Sequence, residues 1–230
     1  KASAIITSNT STIPIKLLTE GMPHEFCERF AITHFFNPVR FMRLLELVRG
    51  EHTKNDVIDT LAMFSELQLG KGVVLCADTP GFLANRVGVF AIQCAIHNAF
   101  DLELSPAEAD AFFGRPLGFP KTGVFGLYDL IGIDLMADVV KSLVNILPTN
   151  DAFHRYSAPI DFMTNMVANG QTGNKNNKGF YRDDGEERQV ISLVNGDYVP
   201  YERLRVPLLE ETEQEGISTL LNDNGPFGLY

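Results

Sequence analysis

The stretch at residues 30–48, FAITHFFNPVRFMRLLELV, constrains the fold more than any other part of this chain. Two short apolar runs, at 30–36 and 44–48, flank an Asn-Pro pair. Because proline disfavours helix in the residue before it, the pattern predicts a strand, a turn and a second strand. Runs this short also fit a buried helix, and periodicity alone leaves that alternative open.

Two polar residues interrupt these apolar runs, His34 in the first and Glu46 in the second. Burying a carboxylate is costly unless it is paired or protonated, and an imidazole is a suitable partner. A glutamate bonded to one ring nitrogen fixes the tautomer and makes the other nitrogen a better base. The pair therefore predicts a general base. The alternative is a histidine satisfied in the core and a glutamate solvated at a strand end.

The composition excludes several classes of protein. Hydrophobic residues make up 45% of the chain and charged residues 21%, as in soluble globular proteins. A net charge of −10 argues against non-specific nucleic-acid binding, which needs a basic surface. The cysteines Cys27, Cys76 and Cys94 are odd in number and widely spaced, which predicts no metal site and a reduced intracellular compartment. The longest apolar stretch, residues 87–99, is too short and too polar to span a membrane.

Strand-like and helix-like segments alternate at the start of the chain. The predicted elements are strands at 4–7, 30–36, 44–48 and 73–76 and helices at 14–20 and 56–69. This alternation is typical of a parallel α/β sheet. Further helices are predicted at 83–100, from Ser105 onwards, at 127–147 and at 153–169. We therefore place a boundary near Thr79, between an α/β part and a mostly helical part.

Polar side chains follow the first predicted strand and open the helix after the boundary. The run Ser-Asn-Thr-Ser-Thr at 8–12 can cap a helix, or it can present hydroxyl groups to a ligand at the carboxyl end of a strand. Asn85 is either an exposed or capping amide, or an amide donor that faces the same cleft as His34.

Several short motifs of the sequence together resemble those of the L-3-hydroxyacyl-CoA dehydrogenases of fatty-acid β-oxidation. They are SNTS at 8–11, HFFNP at 34–38, Glu46 within LLELV, DTPGF at 78–82 followed by Asn85-Arg86, GLYDLIGID at 126–134 and KGFY at 178–181. The words occur in the family's order and at near-family spacing over roughly residues 4–182. A weaker resemblance is to a multifunctional fatty-acid-oxidation protein.

The resemblance implies an α/β fold followed by an all-α region. Residues 1–78 would be the C-terminal portion of a Rossmann-like NAD-binding domain, and 79–182 a helical dehydrogenase and dimerisation domain. Residues 183–230 are expected to form a partial further helical region. The implied reaction is NAD-dependent oxidation of an L-3-hydroxyacyl-CoA to the 3-oxoacyl-CoA, of the EC 1.1.1.35 type.

The resemblance also implies roles for four catalytic residues. His34 resembles the general base that takes the hydroxyl proton as hydride leaves C3, and Glu46 the carboxylate that orients it. Ser11 and Asn85 resemble the residues that hold the substrate oxygen near the histidine.

Three residues are implied near the cofactor. Ser11 and Asn37 resemble residues close to the nicotinamide, and Lys175 a lysine that approaches NAD. The word before GFY is NKNNK rather than the usual KTGK, and Arg40 stands where the family usually has proline. Both differences lie in segments implied to be near the site.

The family's G-x-G-x-x-G loop, which places a diphosphate at a helix N-terminus, does not occur in this sequence. We therefore expect a fragment, active or inactive, of a longer protein. The implied partners are an acyl-CoA substrate and a second copy of the chain, with no nucleic acid and no membrane span. The implied compartment is the bacterial cytoplasm, or the mitochondrial matrix or peroxisome in a eukaryote. The alternatives are an inactive fragment or helical dimerisation module, and a related dehydrogenase for another 3-hydroxy acid.

Overall fold

The computed structural model describes residues 4–114 and 120–202, and it divides into two compact units at residues 1–90 and 91–230. The predicted α/β part followed by a helical part is confirmed. The helices of the first unit are α1 (Ile15–Leu18), α2 (His24–Cys27) and α3 (Asn55–Leu67), with the start of α4 (Ala84–Asp101). Its strands are β1 (Ile6–Ser8), β2 (Phe30–Phe35), β3 (Leu44–Arg49) and β4 (Gly72–Cys76).

The four strands form one sheet in the order β1-β2-β3-β4. The β1–β2 and β3–β4 pairs are parallel, but β2 and β3 are antiparallel. The expectation of a fully parallel sheet is therefore wrong for one pair. The physical reason is the short connection at 36–43, since two strands joined so directly form a hairpin, whereas a parallel pair needs a long crossover.

Alternation along the strands separates two apolar faces. Phe30, Ile32 and Val48 pack on one face with Ile15 and Phe82. On the opposite face, α3 covers the sheet through its buried apolar residues. Because side chains alternate with a period of two, His34 and Glu46 belong to the first face, beside Phe82.

The second unit is mainly helical. After the rest of α4 come α5 (Pro106–Phe112), α6 (Gly123–Ile131), α7 (Ile133–Ile146) and α8 (Asp161–Ala168), with 3₁₀ turns at Ala152–Tyr156 and Asn174–Asn176. Ser105 and Glu108 form the predicted capping box of α5. The single helix expected at 127–147 is in fact two, because Gly132 has φ 112°, which interrupts the helix between α6 and α7.

A small sheet follows the helices. Strands β5 (Tyr181–Asp183), β6 (Arg188–Ile191) and β7 (Tyr198–Pro200) pair in antiparallel fashion. The expectation of further helix at 183–230 is thus not met in residues 183–202, and the rest of that segment lies outside the described residues. Arginine–tyrosine stacking supports the strands, with the Arg182 guanidinium 3.9 Å from the Tyr198 ring centre.

Candidate functional site

The hairpin β2–β3 brings His34 and Glu46 together. The ladder register places the two residues opposite each other on neighbouring strands. The His34 Nδ1–H donates to Glu46 Oε2 over 2.6 Å, and the two residues are 7% and 0% exposed. The predicted pairing is therefore present, and the alternative of a solvated strand-end glutamate is wrong.

The other oxygen of Glu46 is held by the turn that leads into α4. Glu46 Oε1 accepts hydrogen bonds from the backbone N–H groups of Leu83 at 2.9 Å and Ala84 at 2.7 Å. Gly81 and the buried Phe82 both have positive φ, 73° and 49°, and a positive φ is unusual for a bulky residue such as Phe82. This backbone shape directs the two N–H groups at the carboxylate. The DTPGF motif therefore supports the His34–Glu46 pair.

These contacts keep Glu46 ionised. Burial alone would raise the pKa of this carboxyl, but the hydrogen bonds from His34, Ala84 and Leu83 outweigh burial and hold the pKa below its usual value. The positive end of the α4 dipole acts in the same direction. A carboxylate can only accept, so His34 Nδ1 carries the proton and Nε2 is left as an acceptor.

Aromatic rings enclose the imidazole. The Phe36 ring lies 4.6 Å from that of His34 and the Phe82 ring lies 5.8 Å away. Within the described part of the chain, His34 Nε2 has no hydrogen-bond partner. The arrangement therefore offers one oriented proton acceptor in largely apolar surroundings.

Ser11 and Asn85 lie close to each other in the first unit. The Asn85 Nδ2 donates to the backbone carbonyl of Ser11 over 3.4 Å. Asn9, from the same polar run, accepts from the Phe35 N–H at 2.9 Å and so joins the end of β1 to the end of β2. Asn37 is exposed and is the second residue after the end of β2. The roles expected for these residues toward substrate and cofactor stay predictions.

Lys175 belongs to the second unit. Its Nζ donates to both carboxylate oxygens of Asp134, at 2.7 and 2.5 Å, and this pair lies at the surface. The approach of Lys175 to NAD stays a prediction.

Sequence reasoning overlooked Cys76. Its thiol donates to Glu46 Oε1 over 3.7 Å, as a third donor to that oxygen. Burial, followed by the charge and hydrogen bond of Glu46, raises the pKa of the thiol to about 11, so Cys76 stays protonated near neutral pH. The available signal was the strand period, which places Cys76 on the Glu46 face of the sheet.

Two buried carboxylates of the second unit were also overlooked. Asp129 accepts the backbone N–H groups of Phe180 at 2.8 Å and Tyr181 at 2.7 Å, which joins the GLYDLIGID word to the GFY word. Asp110 accepts the Tyr181 hydroxyl at 2.8 Å and caps the start of α6. Burial raises the pKa of each to about 6. Both residues connect parts of this unit, which is a structural role.

Among the described residues, no group of three His, Cys, Asp or Glu side chains could hold a metal ion. In the same part of the chain, no helix is both long and apolar enough to cross a membrane.

Comparisons with known proteins agree with the words in the sequence. Residues 1–79 match the family model for the 3-hydroxyacyl-CoA dehydrogenase NAD binding domain, and residues 81–183 match the C-terminal domain of the same family. A putative fatty acid oxidation complex trifunctional enzyme of Rickettsia prowazekii is 38% identical over the whole chain, which covers 32% of that relative. A probable 3-hydroxyacyl-CoA dehydrogenase of Deinococcus radiodurans is 38% identical over 82% of the chain and 53% of its own length.

Solved structures show the same fold. FadB2 of M. tuberculosis superposes with a TM-score of 0.69 at 30% identity, over 80% of this chain and 61% of that one. The (S)-3-hydroxybutyryl-CoA dehydrogenase PaaH1 of Ralstonia eutropha gives a TM-score of 0.66 at 34% identity, over 76% and 59%. The chain spans about a third of the length of the first of these curated relatives and about half of the second. With both domain models matched in order, the chain belongs to the 3-hydroxyacyl-CoA dehydrogenase family.

Proposed function

We propose that this chain is the catalytic and helical part of an NAD-dependent dehydrogenase that oxidises L-3-hydroxyacyl-CoA to 3-oxoacyl-CoA in fatty-acid β-oxidation. One observation supports this most strongly. In a member of this family, a buried His34 is bonded to Glu46, and Glu46 is anchored in turn by two backbone N–H groups. That is the arrangement of an oriented general base.

The proposed chemistry begins with the substrate hydroxyl hydrogen-bonded to His34 Nε2. As the C3–H bond breaks with its electron pair, the O–H proton passes to Nε2 and the C3–O bond becomes a carbonyl. Glu46 faces the imidazolium through Nδ1–H and stabilises its charge. Ser11 and Asn85 hold the same substrate oxygen, which keeps it within reach of the ring.

NAD, when bound, accepts the hydride from C3. The chain offers residues for one end of this cofactor. Ser11 and Asn37 follow the carboxyl ends of β1 and β2, which pair in parallel. Ligands of open α/β sheets bind at such ends. Those residues fit the nicotinamide end, and Lys175 is proposed as a further contact. The sequence has no G-x-G-x-x-G loop for the diphosphate.

We propose that the protein is a homodimer and that it acts in the bacterial cytoplasm, or in the mitochondrial matrix or peroxisome of a eukaryote. Leu130 and Leu135, at the junction of α6 and α7, are 62% and 52% exposed, which suits the contact with a second copy that was predicted for 127–147. Analytical ultracentrifugation of a Leu130→Glu variant tests this, because a dimer held there should dissociate. An unchanged dimer would place the contact elsewhere.

The second candidate is an inactive fragment or dimerisation module. The missing glycine-rich loop favours it, and the retained His34–Glu46 pair favours the enzyme. NADH oxidation with acetoacetyl-CoA separates the two. The enzyme proposal predicts turnover that His34→Ala abolishes while the free energy of unfolding stays near that of the wild type. Turnover that survives His34→Ala would remove this residue from the mechanism.

A further inference from the structure

The connection at 36–43, here called the basic hairpin loop, lies beside the proposed catalytic pair. It leaves β2 two residues after His34 and enters β3 three residues before Glu46. Three residues of chain reach at most about 10 Å, so Arg43 lies close to the pair. A ligand whose reacting end is at His34 would pass this loop.

The basic hairpin loop has a defined shape. Lys71 Nζ donates to the carbonyls of Val39 at 2.5 Å and Met42 at 2.8 Å, and these bonds hold the loop against the start of β4. The backbone N–H groups of Phe41 and Met42 both donate to the Pro38 carbonyl, at 2.9 and 3.0 Å. Side chains on such a turn are presented from a fixed backbone.

The loop is positively charged on an acidic protein. Residues 36–43 contain Arg40 and Arg43 and no Asp or Glu, although the whole chain carries a net charge of −10. Both arginines are exposed, and neither has a carboxylate partner in the part of the chain that the structure describes. Unpaired guanidinium groups on a fixed loop are suited to phosphate oxygens, which they bind through two parallel N–H donors.

An exposed aromatic residue lies between the two arginines in the sequence. Phe41 is 76% exposed, and the Arg40 guanidinium lies 5.9 Å from the centre of its ring. Leaving a phenyl ring this exposed forgoes the stability that its burial would give. A flat apolar ring beside unpaired cations matches a ligand with a base to stack and phosphates to hold.

We propose that the basic hairpin loop binds the nucleotide end of the acyl-CoA, with Phe41 stacked on the adenine and Arg40 and Arg43 on the phosphates. The inference rests on the proposed function, because it takes the acyl end of the same molecule to lie at His34. NAD also carries an adenine and a diphosphate. The assignment goes to CoA because its nucleotide end carries a third phosphate, which raises the negative charge that the loop can neutralise.

Isothermal titration of the 230-residue chain tests the proposal without turnover. The probes are coenzyme A, pantetheine, which lacks the nucleotide, and NADH. The variants are Arg40→Ala/Arg43→Ala and Phe41→Ala. The matched control, Lys16→Ala/Arg49→Ala, removes two exposed charges elsewhere in the first unit. Arg49 ends β3, about 20 Å of strand from Arg43.

Arg40→Ala/Arg43→Ala should weaken coenzyme A binding at least tenfold, and Phe41→Ala at least fivefold. Pantetheine binding should stay within twofold, as should coenzyme A binding by the control. Equal affinity in the double variant and the control would overturn the proposal. So would a larger loss for NADH than for coenzyme A, or a folded wild-type chain that does not bind coenzyme A at millimolar concentration.

The same measurements separate this inference from the enzymatic proposal. A chain that binds coenzyme A through the loop, and that binds NADH but never oxidises it when fused to a G-x-G-x-x-G unit, would refute the dehydrogenase and leave the loop assignment standing. Turnover that depends on His34, with coenzyme A affinity indifferent to the loop, would do the reverse. Thermal unfolding should be unchanged in all variants, because the altered side chains are exposed.

Discussion

Glu46→Gln tests the geometry of the His34–Glu46 pair, because glutamine keeps the shape of glutamate and replaces one acceptor oxygen with an NH₂ donor. Glu46 Oε1 accepts two backbone N–H bonds, from Leu83 and Ala84. An amide NH₂ facing those groups would set donor against donor, so the glutamine oxygen takes that side and its NH₂ faces His34. The imidazole must then accept at Nδ1 and carry its proton on Nε2. The variant therefore reverses the tautomer.

The structure sets the size of the effect on turnover. To act as a base at Nε2, His34 would have to return its proton to Nδ1, where the amide N–H leaves it unsatisfied at a cost of about 2 kcal/mol. The charge-assisted bond to the developing imidazolium is also lost, at about 2 kcal/mol. A total of about 4 kcal/mol predicts a fall in kcat of roughly 10³-fold. His34→Ala should cost more, since it removes the proposed general base itself.

Two assays measure this prediction. One is acetoacetyl-CoA-dependent NADH oxidation, and the other is ¹⁵N NMR of the imidazole, which reports the protonated nitrogen without turnover. Glu28→Gln is the control, because it removes one negative charge from a partly exposed pair with Lys54 in the same unit. An Nδ1-protonated ring or wild-type kcat in Glu46→Gln would refute the reasoning. A loss exceeding that of His34→Ala would mean that the fold requires the Glu46 charge.

Three further predictions concern stability and reactivity. Cys76 has a pKa of about 11, so iodoacetamide at pH 8 should alkylate it roughly 100-fold more slowly than a model thiol. Peptide mass spectrometry measures the rate, and labelling at the rate of the model thiol would contradict the contact of Cys76 with Glu46. Burial raises the pKa of Asp129 to about 6, so its contribution to stability is complete below the unfolded pKa and is lost as pH rises through about 6. Asp110, with the same raised pKa, should contribute a similar decline. Urea unfolding should therefore show a fall in the free energy of unfolding between pH 4 and pH 7, of up to about 3 kcal/mol from each residue, and Asp129→Asn should remove its own share; an unchanged slope would rule Asp129 out as a source. Gly179→Ala should destabilise the second unit by about 3 kcal/mol or more, because a Cβ there would overlap the buried Asp129 carboxylate. A variant whose thermal unfolding matches that of the wild type would show that the carboxylate can move aside.

The sequence predicted the His34–Glu46 pair because strand alternation and an apolar setting are local properties. His34 and Glu46 each interrupt an apolar run, and a hairpin between the runs brings them opposite each other. The capping box at Ser105 was predictable for the same reason, since its partners are three residues apart.

Other features depended on backbone conformations that composition does not specify. The N–H groups that hold Glu46 are directed there by a positive φ at Phe82, a residue type that rarely adopts one. The break at Gly132 lies inside an apolar stretch that reads as continuous helix. The strands at 188–191 and 198–200 are short and carry few apolar residues, so the sequence shows no clear alternation of apolar and polar positions there. Stacking of arginine on tyrosine, as in Arg188 on Tyr181, contributes to this sheet instead.

The most direct test of the account is NADH oxidation with acetoacetyl-CoA by the wild type and His34→Gln. It is run on the 230-residue chain and on a fusion that supplies a G-x-G-x-x-G βαβ unit from a family member. We predict turnover by the wild-type protein wherever NADH binds, and a loss of about 10³-fold or more in His34→Gln with folding intact. Equal turnover in the two proteins, or a folded fusion that binds both ligands and does not react, would contradict it.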